Sequence, residues 1–312
     1  MEKNKENSFR IKKIASEIGF SACGISPATF LEKDHDFLEN WLKNGFQSGM
    51  SYMNNHFDKR LDARKLVENS KSVISVLLNY FTDDIQKDPN APKVAKYAFY
   101  NDYHDVLKSM LNCFFERINN EITDIKGRSF VDSAPILEKA YARNSGLGWI
   151  GKNSCLINKN LGSFVFIGEL IVDIELDYDK PVKNHCGNCK KCLQACPTGA
   201  IIEPGVIDAR KCISYLSIEN KGDIPAEFSD KFSDMVFGCD ICQDVCPWNK
   251  NAADTDHGFL KINNDMLNLS AEEWHAMDEI KFNKILKGSP IKRIKFEGLK
   301  RNLNFLKKSK YS

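Results

Sequence analysis

The sequence contains no apolar run near the ~18 residues that would cross a bilayer. Its longest apolar stretches, 73–78 and 164–174, are strand-sized, and the second is interrupted by Glu169. Residues 1–10 are charged and lack the apolar core of a secretory signal. No membrane association is expected, and the cytoplasm is the expected compartment. Low-complexity tracts and the periodic glycine of collagen are absent. With 42% hydrophobic and 28% charged residues, the 312-residue chain reads as globular, long enough for one large domain or two ordinary ones. Two nucleotide fingerprints are missing, G-x-G-x-x-G after a strand and G-x-x-x-x-G-K-[ST]. So is D-x-H-x-x-G, the histidine-bearing motif of many cobalamin enzymes. Gly146–Asn153 is glycine-rich without P-loop spacing. No coiled-coil or apolar interface stripe appears, so a monomer is expected.

Net charge is only +2, but it is unevenly spread. Residues 281–312 hold 11 Lys and Arg and one acid, Glu297, leaving 33 bases against 41 acids in the rest of the chain. A basic end on an acidic body fits either a polyanionic partner or a solvated helix.

Cysteine is abundant, with eleven residues. Structural disulfides are not expected in a reducing compartment. Cys23, Cys113 and Cys155 stand alone and read as small buried hydrophobes. The other eight lie between 186 and 246. Cys186, Cys189, Cys192 and Cys196, followed by Pro197, form C-x2-C-x2-C-x3-C-P, the run with which bacterial ferredoxins hold [4Fe–4S] clusters. Three close thiolates wrap one cube, and the fourth serves the other. Gly187 lets the backbone approach the inorganic sulfides, and Pro197 suits the start of a helix. Cys212, Cys239, Cys242 and Cys246 with Pro247 repeat the pattern, the leading cysteine displaced by an insertion. The crossover gives Cys186, Cys189, Cys192 and Cys246 to one cluster and Cys196, Cys212, Cys239 and Cys242 to the other. The rival is a pair of four-cysteine zinc sites, which rarely use three thiols at this spacing before x3-C-P. Two such clusters carry single electrons, so another part of the chain must use them.

Hydrophobic periodicity predicts helices over 9–18, 30–43, 103–122 and 135–145, the last opened by Pro135. It predicts strands over 21–25, 72–80 and 130–131, and over 154–157 and 163–174 joined by a turn at 158–162. Residues 53–64 read as a loop. The fold class is α+β: an N-terminal α/β domain (1–178), a ferredoxin-like double-cluster module (179–250) and a short basic helical segment (251–312). Asp132 falls at a strand end before a helix, a common place for a catalytic group. In an enclosed apolar pocket its carboxyl would stay protonated and act as a general acid. The alternative is a carboxylate that merely caps the helix.

Seven stretches extend these readings: GFSACGIS (19–26), WLKNGFQSGMSYM (41–53), YAFYNDYHDVLK (97–108), VDSAPILEKAYARNSGLGWIGKNS (131–154), HCGNCKKCLQACPTGAI (185–201), KCISYLSIE (211–219) and FGCDICQDVCPWN (237–249). Together they resemble the epoxyqueuosine reductases, which are related to reductive dehalogenases. The resemblance implies an oxidoreductase that removes the epoxide oxygen of epoxyqueuosine at the wobble position of tRNAs with GUN anticodons. It implies a cobalamin, fed by the two [4Fe–4S] clusters and an external electron donor, held without a histidine on the cobalt. Asp132 matches the proposed proton donor. His56, Ala95, Asp132, Lys139, Asn153 and Ser214 match cobalamin-contacting stretches, and His104 is a family-pattern position. Some relatives have Gly at position 134 and Arg at 139, where this chain has Ala and Lys. Lys keeps the charge but loses the planar fork. Relatives that extend further carry a C-terminal helical-repeat segment. Here the basic tail, with Lys292, Arg293, Lys295, Lys300 and Arg301, is the expected tRNA backbone contact. The remaining alternatives are a dehalogenase-like reductase of a small molecule and an electron carrier without catalysis.

Overall fold

The computed structural model describes residues 2–255 and 258–309, with no side-chain description for 308–309. At its centre is a four-stranded sheet of β1 (Ala22–Pro27), β2 (Ser72–Asn79), β3 (Gly127–Phe130) and β4 (Val165–Val172), in the order β1-β2-β4-β3. Every pairing is antiparallel. The mixed helix-and-sheet reading therefore holds in its α+β form.

β2 is buried along all eight residues, which explains its unbroken apolar run: strand side chains alternate between faces, and here both faces are covered. Ile74, Val76 and Leu78 meet α1 (Glu2–Ile18) and the long helix α2 (Tyr103–Glu121) through Ile11, Ile14, Leu107 and Phe114. On the other face Val73 joins Leu61, Phe130, Tyr141 and Ile171. Ser75 and Glu169 sit opposite each other in the middle of that second face, and both are fully buried. Burial pushes the Glu169 carboxyl well above its ordinary pKa.

The larger core does not stop at the sheet. It runs through Ile213, Leu216, Val236 and Phe237 to Trp274, Leu299, Leu303 and Leu306. The strand Met235–Phe237 pairs in parallel with Lys93–Val94. Asn302 donates to the carbonyls of Ser217 and Val236, both at 2.8 Å. The C-terminal helix Lys295–Ser309 is thus packed against the rest of the protein; residues 310–312 of the tail lie outside the described residues.

Four local expectations are corrected. Residues 51–65 contain a short α-helix, Phe57–Leu61, flanked by two 3-10 turns rather than a loop. The segment after Asp132 becomes helical only at Glu138, so Pro135 lies in the approach and does not open the helix. Leu156–Ile157 pairs with Trp149–Ile150, whereas β4 joins the central sheet; the turn at 158–162 connects two different sheets. Pro197 starts no helix: Cys196 is the C-cap of the helix Lys191–Ala195, and a turn follows.

Candidate functional site: a thiol double cage beside a charged proton site

The eight cysteines of 186–246 lie in two neighbourhoods, with Cys155 acting on members of both. Cys186, Cys189, Cys192 and Cys246 act on one another electrostatically, and so do Cys196, Cys212, Cys239 and Cys242. Among the described residues no group of three His, Cys, Asp or Glu side chains is placed to hold a single metal ion. Gly187 has φ of +46° with no atom within 4 Å of where a Cβ would stand. Its backbone conformation, rather than lack of room, favours glycine here. The cages are lined by N–H groups. Trp149 Nε1 donates to Cys186 Sγ at 3.4 Å, and the amide of Ala200 donates to Cys196 Sγ at 3.3 Å. Amides of Ser214 and Tyr215 donate to Cys212.

One segment, 149–155, braces both cages. Besides Trp149, Lys152 Nζ donates to the carbonyls of Gly187 (2.6 Å) and Cys189 (2.8 Å), and Asn153 Nδ2 to that of Cys242 (3.4 Å). Cys155 lies against Cys242, which draws its thiol down to about 7. Cys113, expected to be buried, is exposed, while burial pushes Cys23 up to about 12, as an inert thiol should be.

Asp132 has φ of +47°, rare for a residue with a side chain. Its amide donates to the Glu138 carboxylate. Its own carboxylate accepts from Tyr103 Oη at 2.8 Å and pairs with His104 Nε2 at 3.1 Å. His104 Nδ1 pairs in turn with Asp102 Oδ1 at 2.7 Å, and Asp102 caps α2. Two carboxylates on one ring raise the imidazole pKa to about 9, and the hydrogen bonds from His104 and Tyr103 hold Asp132 below its usual range despite partial burial. The expected apolar enclosure is absent: the Asp132 side chain is 54% exposed. At neutral pH the site is an Asp132 carboxylate against a His104 imidazolium, with the proton on the ring. The helix-cap alternative also falls, since the helix begins six residues later. Behind this group, burial lifts Glu138 to about 8.

Aromatic rings connect the two parts. Tyr103 stacks on Phe166 (4.3 Å, 6°) and meets Tyr97 edge-on at 6.2 Å; Tyr97 reaches Phe237 at 5.9 Å. Gly238 then presses on Ala95, where a Cβ would stand 2.6 Å from the Ala95 Cβ. The path from Asp132 ends at Cys239, the next residue. Of the residues expected to touch a corrin, Ala95, Asn153 and Ser214 gather near Cys212, Cys239 and Cys242, and Lys139 Nζ reaches the Ser154 carbonyl at 2.9 Å. His56 does not join them and lines a separate cavity with residues 131 and 133–135 of the Asp132 loop. Both His104 nitrogens are engaged, so this ring is not free to ligate a metal. Tyr97, Tyr103, Glu138 and Trp149 all lie in motif stretches, but no spacing rule marked them. Tail residues fare differently from the sequence expectation: Arg301 donates to the carbonyls of Asn220, Gly222 and Leu216, and Arg293 pairs with Glu219 at 2.6 Å.

Comparison with known proteins agrees with this arrangement. Residues 185–249 match the family model "4Fe-4S double cluster binding domain", and residues 60–133 match "Epoxyqueuosine reductase QueG, DUF1730". An epoxyqueuosine reductase of Cellulophaga algicola is 50% identical over 98% of this chain and 100% of its own, and that of Cyclobacterium marinum is 50% identical over 95% and 96%. Among solved structures, epoxyqueuosine reductase from Streptococcus thermophilus superposes with a TM-score of 0.86 (27% identity, 98% of this chain, 82% of that one). An epoxyqueuosine reductase bound to an epoxyqueuosine-modified tRNA-Tyr stem loop gives 0.85 (26% identity, 96% and 80%). A reductive dehalogenase studied for B12-dependent dehalogenation shares the fold at TM-score 0.52 and 17% identity, over 94% of this chain and 38% of its own.

Proposed function

The chain belongs to the epoxyqueuosine reductase family, and from that premise we propose that its proton site and its thiol cages together reduce epoxyqueuosine at the wobble position of tRNAs with GUN anticodons. It is an oxidoreductase of tRNA modification. Replacing an epoxide by an alkene consumes two electrons and two protons and releases the oxygen as water. The two [4Fe–4S] clusters, on the thiol sets above, would bring the electrons one at a time from an external donor. Cobalamin, when bound, would supply a low-potential metal at which the substrate is reduced. Ala95, Lys139, Asn153 and Ser214 would border it. The engaged ring of His104 fits a corrin held without a protein histidine on its metal.

The observation that carries the reading is the Asp132–His104–Asp102 line beside the Cys239 cage. Asp132 stands at the exposed end of that line and presents its carboxylate to substrate. His104 holds the proton that Asp132 passes to the leaving oxygen. Asp102 keeps His104 charged and fixed in orientation. Tyr103, also hydrogen-bonded to Asp132, fixes the carboxylate from the other side. A catalytic aspartate loop that swings out of the active site in an epoxyqueuosine reductase of Bacillus subtilis is consistent with Asp132 standing on a mobile, strained turn. We further assign 1–178 to corrin and proton chemistry, 179–250 to electron transfer and 251–312 to support of the site, in a protein that works as a monomer in the cytoplasm. Among the described residues no helix is long and apolar enough to cross a membrane.

The test is turnover of epoxyqueuosine-bearing tRNA by anaerobically reconstituted protein with a strong reductant, with and without cobalamin, read by nucleoside mass spectrometry. Cobalamin-dependent loss of one oxygen is expected. No conversion with clusters and corrin both bound overturns the reading.

A further inference from the structure

Beside the Asp132 loop lies a cavity of about 630 Å³ with a one-sided charge. Its walls carry His56, Lys59, Lys108 and Arg128, with Asn112 and Ser129 between them, and no carboxylate is among the lining residues. The residues of the loop itself, 131 and 133–135, form one edge. Three elements supply the cations, which lie far apart in sequence. Lys59 stands on the short helix Phe57–Leu61, Arg128 on β3, and Lys108 on α2, one turn beyond His104. Spacing of His104, Lys108 and Asn112 at i, i+4 and i+8 lays a polar stripe along α2 from the proton site into the cavity. Arg128 is steadied with its guanidinium 5.2 Å over the Phe130 ring. None of Lys59, Lys108 and Arg128 forms a salt bridge among the described residues, whereas the neighbouring Asp58 is already taken by Lys65 at 2.9 Å. Lys108 also acts on the Asp102 carboxylate, but cations held in no salt bridge around a concave surface still concentrate anions there.

The C-terminal tail, the more basic region by count, is spent differently. Arg301 is tied to three backbone carbonyls, Arg293 to Glu219, and Lys292 lies 4.4 Å over the Phe282 ring beside Asn283. These charges hold the tail to the protein.

We propose that the groove of Lys59, Lys108 and Arg128 binds the phosphate backbone of the single-stranded RNA flanking the nucleotide presented to Asp132. This rests on the tRNA reading of the same site. Each cation would meet a phosphodiester, as backbone contacts do when they fix register without reading sequence. His56 and the polar pair Asn112 and Ser129 would supply hydrogen bonds to sugar or phosphate oxygens.

The experiment compares holoenzyme, reconstituted with clusters and cobalamin, carrying Lys59→Gln with Arg128→Gln, Lys108→Gln alone, or Lys295→Gln with Lys300→Gln. Binding of unmodified tRNA is measured against salt concentration, and corrin and iron content are determined for each. Neutralising a single-strand phosphate contact lowers the slope of log K against log[salt] by about 0.7. The expected result is therefore a slope reduced by about 1.4 in the Lys59/Arg128 variant and about 0.7 in the Lys108 variant, with weaker binding at low salt and unchanged corrin and iron. The tail variant should keep the wild-type slope. An unchanged slope in the groove variants overturns the proposal. So does loss of corrin with intact tRNA binding, which would assign the cavity to the phosphate of the cofactor. A reduced slope only in the tail variant overturns it in favour of the tail. Failure of the parent reading looks different, as wild-type protein that binds tRNA yet leaves epoxyqueuosine unreduced.

Discussion

Eight thiols between 186 and 246 and five polar side chains between 102 and 138 are linked through the rings of Tyr97 and Tyr103 at the Cys239 side, and they are assembled in opposite ways. Most of the thiols come from short, local spacings, two residues and then three, with Cys212 separated from Cys239 by 26 residues. Their nearest donors are amides and one indole, with the Lys152 ammonium tied to the adjoining carbonyls. The proton site gathers Asp102, Tyr103 and His104 from the start of one helix, Asp132 from a strained turn and Glu138 from another helix. It depends on charge set against charge. The comparison teaches that electron transfer tolerates a prefabricated module, while proton delivery needs carboxylate and imidazole placed to within a few tenths of an ångström by the whole fold.

The largest expected effect comes from dismantling one cage. Cys212→Ala should lose about half of the eight irons of two cubes and abolish turnover, with the other cluster still visible by EPR. Retention of all the iron would break the assignment of Cys212. Asp132→Asn should keep both clusters and cobalamin and slow turnover by ~10²–10⁴-fold. Near-native turnover would remove Asp132 from the chemistry and leave the comparison without its proton half.

His104→Gln is expected to cost roughly tenfold, a part of the full general-acid contribution, and to change the pH profile. In the native protein turnover should fall as pH rises through about 9, where the ring loses its proton; the variant should lack that limb. Stability follows the same group. Its folded pKa lies above the unfolded value near 6.5, so its contribution is complete below pH ~6.5 and is lost as pH rises through about 9. The difference in thermal midpoint between native protein and variant should shrink over that window. A constant difference would show that His104 does not carry the charge.

The smallest effect is expected at the cage wall. Trp149→Phe removes the indole N–H that favours the reduced, more negative cluster. The potential of the Cys186 cluster should drop by up to about 40 mV, the equivalent of one ~1 kcal/mol hydrogen bond, while the other cluster stays put. Equal shifts in both would mean that Trp149 acts through packing alone.

Much of this protein could be read before its structure. The apolar run at 73–78 marked a strand, and the periodicity of 103–122 gave α2 to within a residue. The segment 131–154 drew attention to Asp132. Other expectations failed for reasons of distance along the chain. Pro135 follows a favourable helix rule, but the turn at Asp132, pinned by the Glu138 carboxylate, delays the helix. Arg301 counted as a free cation until the loop 216–222 folded against it. His56 lies just past a motif stretch and faces the basic groove instead of the Cys239 side.

The sequence by itself determined what could be encoded within a few residues: which strands are apolar, where eight closely spaced thiols fall, and that a carboxylate waits at position 132. Only the tertiary structure decided where the proton resides. A pKa depends on the charges within a few ångströms and on how much water remains, and Asp102, His104, Asp132 and Glu138 acquire those neighbours only when α2, the strained turn and the central sheet close around them.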